Sequence, residues 1–271
     1  MSSPTQLPAA GALVAQERAE GVAILRLNRP ERLNALNVEL AQSLLQSLLL
    51  AAEDKSARAV IITGAGRGFC VGGDLHMLRD LRRRNSTHEL EALLHAGKEI
   101  CLVIATMPKP VIAAVNGPAA GGGMNLALAA DMRIASEKAV FAESFSNIGL
   151  YPDFGGTYFL PRIVGPVLAA GLFYTAEILS AEQALRLGIV NRVFPVDTFH
   201  AEAVSFAQKL ASGPPLALRD VKRTILADDR RALESKLDEE IRLQLHCFFS
   251  RDCLEGLDAF FEKRQPVFSG H

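Results

Sequence analysis

The sequence lacks a surplus of either charge and lacks any long apolar run. Its 29 basic and 30 acidic residues leave a net charge of −1, which gives no field to attract nucleic acid or an anionic membrane surface. None of its apolar runs approaches the roughly 18 residues that a membrane-spanning helix requires. These absences leave a small molecule as the expected partner, with no nucleic acid and no membrane.

Cysteine is scarce, and its pattern gives little support to a zinc site or a disulfide framework. The chain has six histidines and four cysteines without a CxxC pair or a ligand-like spacing, at Cys70, Cys101, Cys247 and Cys253. The start of the chain has neither a basic stretch nor the Arg-rich pattern of a targeting segment. We therefore expect no metal, a reducing cytoplasmic location and a loose tail over residues 1–14.

Short β-branched runs alternate with helical periodicity, which is typical of an α/β fold. The strand candidates are 22–27, 59–64, 111–117 and 132–136. Residues 38–55 carry leucines at helical spacing, and Ser180 with Gln183 forms a capping box for a helix that ends at Gly188. With 49% hydrophobic residues, the chain can bury a large core.

The strand signal fades near residue 200, and the remaining chain is predicted to be helical. We place a boundary near residue 205, so that 15–205 form the core and 206–271 a helical C-terminal region. Segment 250–264 carries large apolar side chains on one helical stripe: Leu254, Leu257, Phe260 and Phe261. Such a stripe is too apolar to remain in water, so we expect a homo-oligomer.

Two glycine-rich turns each follow a predicted strand, GFCVGGDL at 68–75 and NGPAAGGGMNLALAADMRIA at 116–135. Glycine leaves backbone N–H groups open where a Cβ would obstruct a ligand. In the second turn, Gly121, Gly122 and Gly123 lead into a helix whose N-terminus adds free donors and a positive dipole end. The pattern indicates an anion site, although neither turn has the spacing of a nucleotide-binding loop.

Five separated motifs occur in the order found in one enzyme family. They are NRPERLNALN (28–37), GFCVGGDL (68–75), KPVIAAVNGPAAGGGMNLALAADMRIAS (109–136), FAESFSNIGLYPDFGGTYFLPRIVG (141–165) and FFEKR (260–264). Over nearly the whole chain the sequence resembles the enoyl-CoA hydratase/isomerase family, the crotonases. The resemblance implies an α/β spiral of ββα units, a helical C-terminal region that forms trimers or dimers of trimers, and an acyl-CoA thioester substrate.

By the same resemblance, the backbone N–H groups of Gly73 and Gly122 hold the thioester oxygen. The reaction chemistry supports this assignment, because a thioester enolate places its negative charge on one oxygen. Each preorganised backbone donor to that oxygen increases the rate by a factor of roughly 10²–10³. We expect substrate contacts from Arg32, Leu33, Ala35, Val71, Asp74, Leu75, Asn125, Phe145 and Lys263. Arg29 and Arg32 are candidates for the coenzyme A phosphates, and Lys263 for a nucleotide across a subunit boundary.

The hydratases of the family use two glutamates, whose positions here hold Asn125 and Phe145. An amide and a phenyl ring cannot activate water or protonate the α-carbon, so we expect both side chains to form pocket wall. Glu143 would share the face of Phe145 on a strand and is a candidate substitute. A salt-bridged or solvated surface role is the favoured interpretation of Glu143.

Asp153 is the remaining carboxylate of these motifs. The stretch FSNIGLYPDFGGT (145–157) resembles the branch that contains 3-enoyl-CoA to 2-enoyl-CoA isomerases and the ring-epoxide isomerase of phenylacetyl-CoA breakdown, in which an aspartate after this proline is the base. Its apolar neighbours are expected to raise the pKa of Asp153; they are Ile148, Leu150, Tyr151 and Phe154. The structural alternative is an aspartate that caps the turn before Gly155.

The sequence therefore predicts an isomerase in which Asp153 carries a proton from the α-carbon to the γ-carbon, without a metal or redox cofactor. Three other functions stay open: a hydratase that uses Glu143, an aryl-CoA dehalogenase or hydrolase in which the aspartate attacks carbon, and a non-catalytic acyl-CoA-binding protein. His76 is a second acid/base candidate, but a packed or exposed helix histidine is favoured. We expect Arg82 to Arg84 to form an exposed face and Asp131 to tether backbone.

Overall fold

The computed structural model describes residues 12–227 and 230–271, and in those ranges it contains nine strands and eleven α-helices. Most of the tail expected over 1–14 lies outside the described residues, and Val14 already belongs to the first strand. No helix in the described ranges is both long and apolar enough to cross a membrane.

Six strands form one mixed sheet. In order across the sheet they are β1 (Val14–Ala19), β2 (Val22–Leu27), β3 (Ala59–Gly64), β4 (Val111–Val115), β6 (Met132–Ser136) and β9 (Arg192–Phe194). The β1–β2 pair is antiparallel and every other pair is parallel. β3 and β4 are buried along their whole length, as is usual for parallel strands covered on both faces. The four predicted strands are confirmed, and the third ends at Val115 instead of residue 117.

A smaller layer consists of β5 (Ala119–Ala120), β7 (Val140–Ala142) and β8 (Leu179–Ser180). Isolated bridges join Leu36 to Gly73 and Cys70 to Ala119 beside it. The chain repeatedly passes from the large sheet to this layer and then into a helix. β4 leads through β5 to α4 (Gly122–Ala129), and β6 leads through β7 to α5 (Gly156–Val164). The repeat brings the starts of successive helices to one end of the molecule.

The other helices surround these layers. They are α1 (Val38–Glu53), α2 (Leu75–Arg84), α3 (His88–Thr106), α6 (Pro166–Thr175), α7 (Ala181–Arg186), α8 (Phe199–Ala211), α9 (Pro215–Ala227), α10 (Arg230–Phe248) and α11 (Arg251–Glu262). α1 begins where Asn37 accepts from the Leu40 N–H, and the predicted capping box of α7 is present. Burial of each fully covered leucine of α1, such as Leu44, stabilises the fold by about 1.5–3 kcal/mol.

The boundary expected near residue 205 falls inside α8. The apolar face of α8 covers one side of the large sheet, with Phe199, Ala203 and Ala207 packed among the side chains of β2, β3, β4 and β6. The small side chains at 203 and 207 let this helix approach the sheet closely. The core that contains the large sheet therefore extends to the end of α8 at Ala211. The boundary lies between α8 and α9 instead of near residue 205.

The apolar stripe of α11 is largely used within the chain, and not left free for a partner as expected. Leu257 is fully buried, and the ring of Phe261 packs against His76 and under the Arg79 guanidinium. Phe260 remains 55% exposed. α11 thereby packs on α2 and on the short 3₁₀ helix Ser144–Ile148.

Candidate active site

A cavity of about 520 Å³ lies where the two glycine-rich turns meet. Among the residues predicted from the sequence, its wall includes Arg32, Leu33, Ala35, Val71, Gly73, Asp74, Leu75, Gly122, Phe145 and Asp153. Another cavity of about 610 Å³, near α3, α9 and α10, has apolar and basic lining and no carboxylate among the described residues. It offers no base for proton transfer, so the first cavity is the candidate site.

The first turn leaves the N–H group of Gly73 free. The residues on either side of Gly73 both form hydrogen bonds with Leu36. The Gly72 carbonyl accepts from the Leu36 N–H at 2.7 Å, and the Asp74 N–H donates to the Leu36 carbonyl at 2.9 Å. Within the described part of the chain, the Gly73 N–H donates to no acceptor. This amide stands at the start of α2, beside the cavity.

The second turn presents the N–H group of Gly122, the first residue of α4. The preceding amide, of Gly121, donates to the Ala142 carbonyl at 2.9 Å, whereas the Gly122 N–H has no intrahelical partner because of its position. A Cβ at Gly123 would lie 2.0 Å from the Cys70 carbonyl oxygen, so only glycine lets the two turns pack this closely. The arrangement places two backbone donors at one cavity.

Asp153 lies beside Gly122 in the second turn. A Cβ at Gly122 would lie 2.9 Å from Oδ1 of Asp153. That oxygen is enclosed and has no hydrogen-bond partner among the described residues, while Oδ2 accepts from Nε2 of Gln244 at 3.1 Å. Burial raises the pKa of Asp153 to about 7; the Gln244 hydrogen bond opposes this rise, and the negative charge of Glu240 adds to it.

The backbone after Asp153 adopts a left-handed conformation at a residue other than glycine. Phe154 has φ of +51°, a conformation that bulky residues rarely adopt. Packing maintains it, because the buried ring lies against Gly97, and Sγ of Cys101 donates to the Phe154 carbonyl at 3.2 Å. A strained residue next to a buried carboxylate is typical of a functional loop.

Asn125 does not form pocket wall as expected. It is fully buried behind the loop, where Nδ2 donates to the backbone carbonyl of Asp153 at 2.7 Å. A Cβ at Gly156 would come within 2.6 Å of the amide. Asn125 therefore supports the loop that carries the carboxylate, whereas Phe145 does line the cavity.

Glu240 and Gln244 of α10 were missed in the sequence. Gln244 accepts from the Tyr151 N–H at 3.0 Å while it donates to Asp153. Glu240 accepts from the N–H groups of Gly155 and Thr157 at 2.8 and 2.9 Å. The sequence did contain a signal for these two residues. The buried positions of α10 follow helical spacing through 233, 237, 240, 244 and 248, and polar residues at two positions of a buried helical face indicate a specific partner.

These contacts weigh against the interpretation of Asp153 as a turn cap. The amides at the start of α5 donate to Glu240, whose carboxylate also suits the positive end of that helix. Burial raises the pKa of Glu240 to about 7, although the hydrogen bonds from Thr157 and Gly155 oppose the rise. The side chain of Asp153 is thus left for another role.

The surface role favoured for Glu143 is wrong. Glu143 is only 1% exposed, and it follows the end of β7 instead of lying on a strand. Neither carboxyl oxygen has a hydrogen-bond partner among the described residues. Burial, with the charges of Asp153 and Glu240, raises the pKa of Glu143 well above its ordinary value, although the neighbouring Asn125 amide opposes the rise. The shift favours the neutral form of this acid, which does not line the cavity.

We predict that Glu143→Gln stabilises the protein at alkaline pH. An acid whose pKa is raised by folding costs stability as the pH rises above its unfolded pKa, and glutamine mimics the neutral acid. Relative to wild type, the free energy of unfolding should be similar at pH 5 and larger by roughly 1–3 kcal/mol at pH 8. Urea titrations at both pH values test this, with the exposed Glu99→Gln of α3 as control; equal behaviour of the two variants would contradict it.

Arg29 does not face the cavity as a free cation. Its guanidinium donates to Oδ2 of Asp74 at 3.0 Å and to the Ala35 carbonyl at 2.6 Å. Asp74 also caps α2 by accepting from the His76 and Met77 N–H groups. The pair therefore joins the motifs 28–37 and 68–75, and the exposed Arg32 and Arg67 are left at the cavity wall.

The remaining polar candidates are dispersed. His76 is exposed at the cavity edge, and Lys263 is exposed beyond α11 and outside the cavity wall. Arg82 donates to the Phe249 carbonyl at 2.9 Å, and Arg83 pairs with Asp258 at 2.8 Å, so this run ties α2 to the C-terminal helices.

Asp131 lies away from the cavity wall. It accepts from the Val111 N–H at 2.8 Å and from Nζ of Lys222 at 2.7 Å. It therefore tethers the backbone of β4, as the sequence predicted, and the same oxygen also holds α9.

Comparison with known proteins agrees with the fold class that the sequence predicted. Residues 17–271 match the family model described as Enoyl-CoA hydratase/isomerase. A probable enoyl-CoA hydratase of Rhodobacter capsulatus is 42% identical over 94% of this chain and 96% of its own length, and the 1,2-epoxyphenylacetyl-CoA isomerase of Escherichia coli is 40% identical over 93% and 96%. The crystal structure of an enoyl-CoA hydratase from Mycobacterium avium subsp. paratuberculosis has a TM-score of 0.85 at 34% identity and covers 95% of this chain and 99% of that one. The predicted fold class is confirmed.

Proposed function

Because the chain belongs to the enoyl-CoA hydratase/isomerase family and is thus an enzyme of coenzyme A thioesters, we propose that it converts a 3-enoyl-CoA into the conjugated 2-enoyl-CoA. The observation that carries this proposal is the free Oδ1 of Asp153, enclosed beside the Gly122 donor. Phe145 lines the cavity where the hydratases of the family have a glutamate. The site thus has one carboxylate that is positioned to move a proton.

In the proposed reaction, the thioester oxygen accepts hydrogen bonds from the N–H groups of Gly73 and Gly122. Oδ1 of Asp153 removes a proton from the α-carbon, and the electron pair moves into a dienolate whose charge lies on the held oxygen. The proton then returns from Oδ1 to the γ-carbon, and the double bond becomes conjugated with the thioester. A carboxyl with a pKa of about 7 suits both steps, because a group whose pKa lies near the operating pH can accept the proton in one step and return it in the next.

This chemistry requires proton transfer and charge stabilisation, both of which the chain's own groups supply. We therefore propose that no metal or redox cofactor takes part, with coenzyme A present only as part of the substrate. The acyl group would contact Leu78, Leu90, Leu93, Phe145 and Leu150, which line the cavity. Such a wall suits an uncharged aliphatic or aromatic acyl group. The four free cysteines support a reducing, cytoplasmic compartment.

A hydratase is the second candidate. The name of the Rhodobacter capsulatus relative and the neutral acid Glu143 near Asp153 favour it. Hydration needs the second acid to reach the substrate, however, and Glu143 does not line the cavity.

Incubation with 3-enoyl-, 2-enoyl- and arylacetyl-CoA thioesters tests the proposal. We expect the 3-enoyl thioester to give a product of unchanged mass with the absorbance of a conjugated enoyl thioester. A hydrated product from the 2-enoyl thioester would identify a hydratase. Binding of all three without conversion would identify a non-catalytic protein.

We also propose that the enzyme assembles as a trimer or a dimer of trimers through its helical C-terminal region. Support within that region comes from the exposed apolar residues Leu216 and Ile225 of α9. Val167 and Tyr174 of α6, which precedes the region, form a second exposed apolar pair, and the four residues are each 65–86% exposed. Light scattering at micromolar concentration should report three or six chains, and a monomer would contradict this assembly.

A further inference from the structure

We propose that Gln244 is a positioning residue that confines the mobile proton of Asp153 to Oδ1, and that Glu240 of the same helix holds the far end of the loop that carries Asp153. The inference deepens the proposed function and rests on Asp153 as its base. Both residues lie on the buried face of α10, about ninety positions from the loop in the sequence.

The orientation of the Gln244 amide is fixed by a backbone donor. Its Oε1 accepts from the Tyr151 N–H at 3.0 Å, and a flipped amide would place an NH₂ group against that N–H. The NH₂ group must therefore point to Asp153, where it donates to Oδ2 at 3.1 Å. An amide nitrogen donates and does not accept. Oδ2 thus remains an acceptor whether or not Asp153 is protonated.

It follows that the proton of the neutral acid resides on Oδ1. This oxygen has no hydrogen-bond partner in the described part of the chain, and it lies against Gly122. The Gly122 N–H is the proposed donor to the thioester oxygen, which is separated from the α-carbon by only the thioester carbon. Gln244 thereby turns the mobile proton toward the reacting carbons and prevents rotation of the carboxyl group.

Glu240 holds the other end of the same loop. It accepts from the N–H of Gly155 and from both the N–H and the hydroxyl of Thr157. Gln244 adds its two hydrogen bonds to Tyr151 and Asp153, so one turn of α10 fixes the loop 151–157. The two side chains act on Asp153 in opposite directions, because the Gln244 hydrogen bond lowers its pKa and the Glu240 charge raises it.

Other titratable groups around Asp153 are accounted for. Glu143 precedes the 3₁₀ helix, and burial raises its pKa, which favours the neutral form. The thiols of Cys70 and Cys101 are buried, and burial raises the pKa of each well above its ordinary value, so they carry no charge near neutral pH. The exposed His76 lies at the cavity edge on α2.

The test compares Gln244→Met, Glu240→Gln and, as control, Glu239→Gln, a partly exposed residue of α10 that pairs with Lys236 at 2.6 Å. We expect Gln244→Met to lower kcat by about 10- to 100-fold with little change in KM. The acid limb of its pH profile should move upward by about one unit, since one stabilising hydrogen bond to the carboxylate is lost. Glu240→Gln should move the same limb downward, and Glu239→Gln should leave it in place.

Two readouts keep this inference separate from the proposed function. Exchange of the α-hydrogens of a saturated acyl-CoA in D₂O reports the base without isomerisation, and ¹³C NMR of the aspartate carboxyls reports its pKa directly. If wild type exchanges hydrogen but forms no isomer, the proposed function fails and the inference stands. Should Gln244→Met unfold, Gln244→Glu keeps an acceptor for Tyr151 and should raise the pKa of Asp153 further. A Gln244→Met enzyme that folds with unchanged kcat and an unchanged acid limb would overturn the inference.

Discussion

Replacing Asp153 with asparagine should reduce isomerisation by about 10²–10⁴-fold while binding of the acyl-CoA persists. Asparagine keeps the size of the side chain and an acceptor for Nε2 of Gln244, but it cannot take a proton from the α-carbon. Turnover and thioester affinity are measured on the same preparation, so that chemistry and binding separate.

The matched control is Glu143→Gln, the same carboxyl-to-amide change at a buried acid that does not line the cavity. It should keep turnover near the wild-type value. The Asp153 variant should also be more stable than wild type at pH 8. An acid whose pKa is raised on folding to about 7 loses stability as the pH rises from its unfolded pKa to about 7, and at pH 8 this loss is complete. An active Asp153→Asn enzyme would show that another group is the base.

The Gly122→Pro variant should turn over roughly 10²–10³-fold more slowly than the Gly122→Ala variant. Both substitutions place a Cβ about 2.9 Å from Oδ1 of Asp153, so both disturb the base. Only proline also removes the N–H that is proposed to hold the thioester oxygen. Proline is tolerated at the first position of a helix, which makes the comparison feasible.

The comparison of the proline and alanine variants isolates the donor from the steric effect. Circular dichroism establishes that both variants fold, and acyl-CoA binding establishes that the cavity remains open. Equal turnover of the two folded variants would exclude the Gly122 N–H from charge stabilisation. The assignment of Gly73 as the second donor would then lose its support as well.

Local signals in the sequence predicted the framework of the site well. The strands β2, β3, β4 and β6 were identified because their β-branched runs are short and bounded, and α7 because its capping box is complete. The apolar stretch around Asp153 correctly predicted a raised pKa. Each of these predictions depends on residues that are close together along the chain.

Features that depend on docking between distant segments were not predicted. Gln244 and Glu240 reach the loop from α10, and periodicity alone does not tell which loop a helix face will meet. Glu143 was placed on the surface because a carboxylate is rarely buried without a partner, whereas the structure encloses it behind the site. Arg29 was assigned to a coenzyme A phosphate because its actual partner, Asp74, lies 45 positions away in the sequence. Local patterns do not show a contact between residues so far apart.

The central claim is that one carboxyl group moves one proton within the bound substrate. The most direct test follows a 3-enoyl-CoA that carries deuterium at the α-carbon, in ordinary water, by mass spectrometry and NMR. We expect a 2-enoyl-CoA with no added water and with part of the deuterium at the γ-carbon, and we expect Asp153→Asn to abolish this transfer. A product heavier by one water, or label transfer that survives in the Asp153 variant, would contradict it.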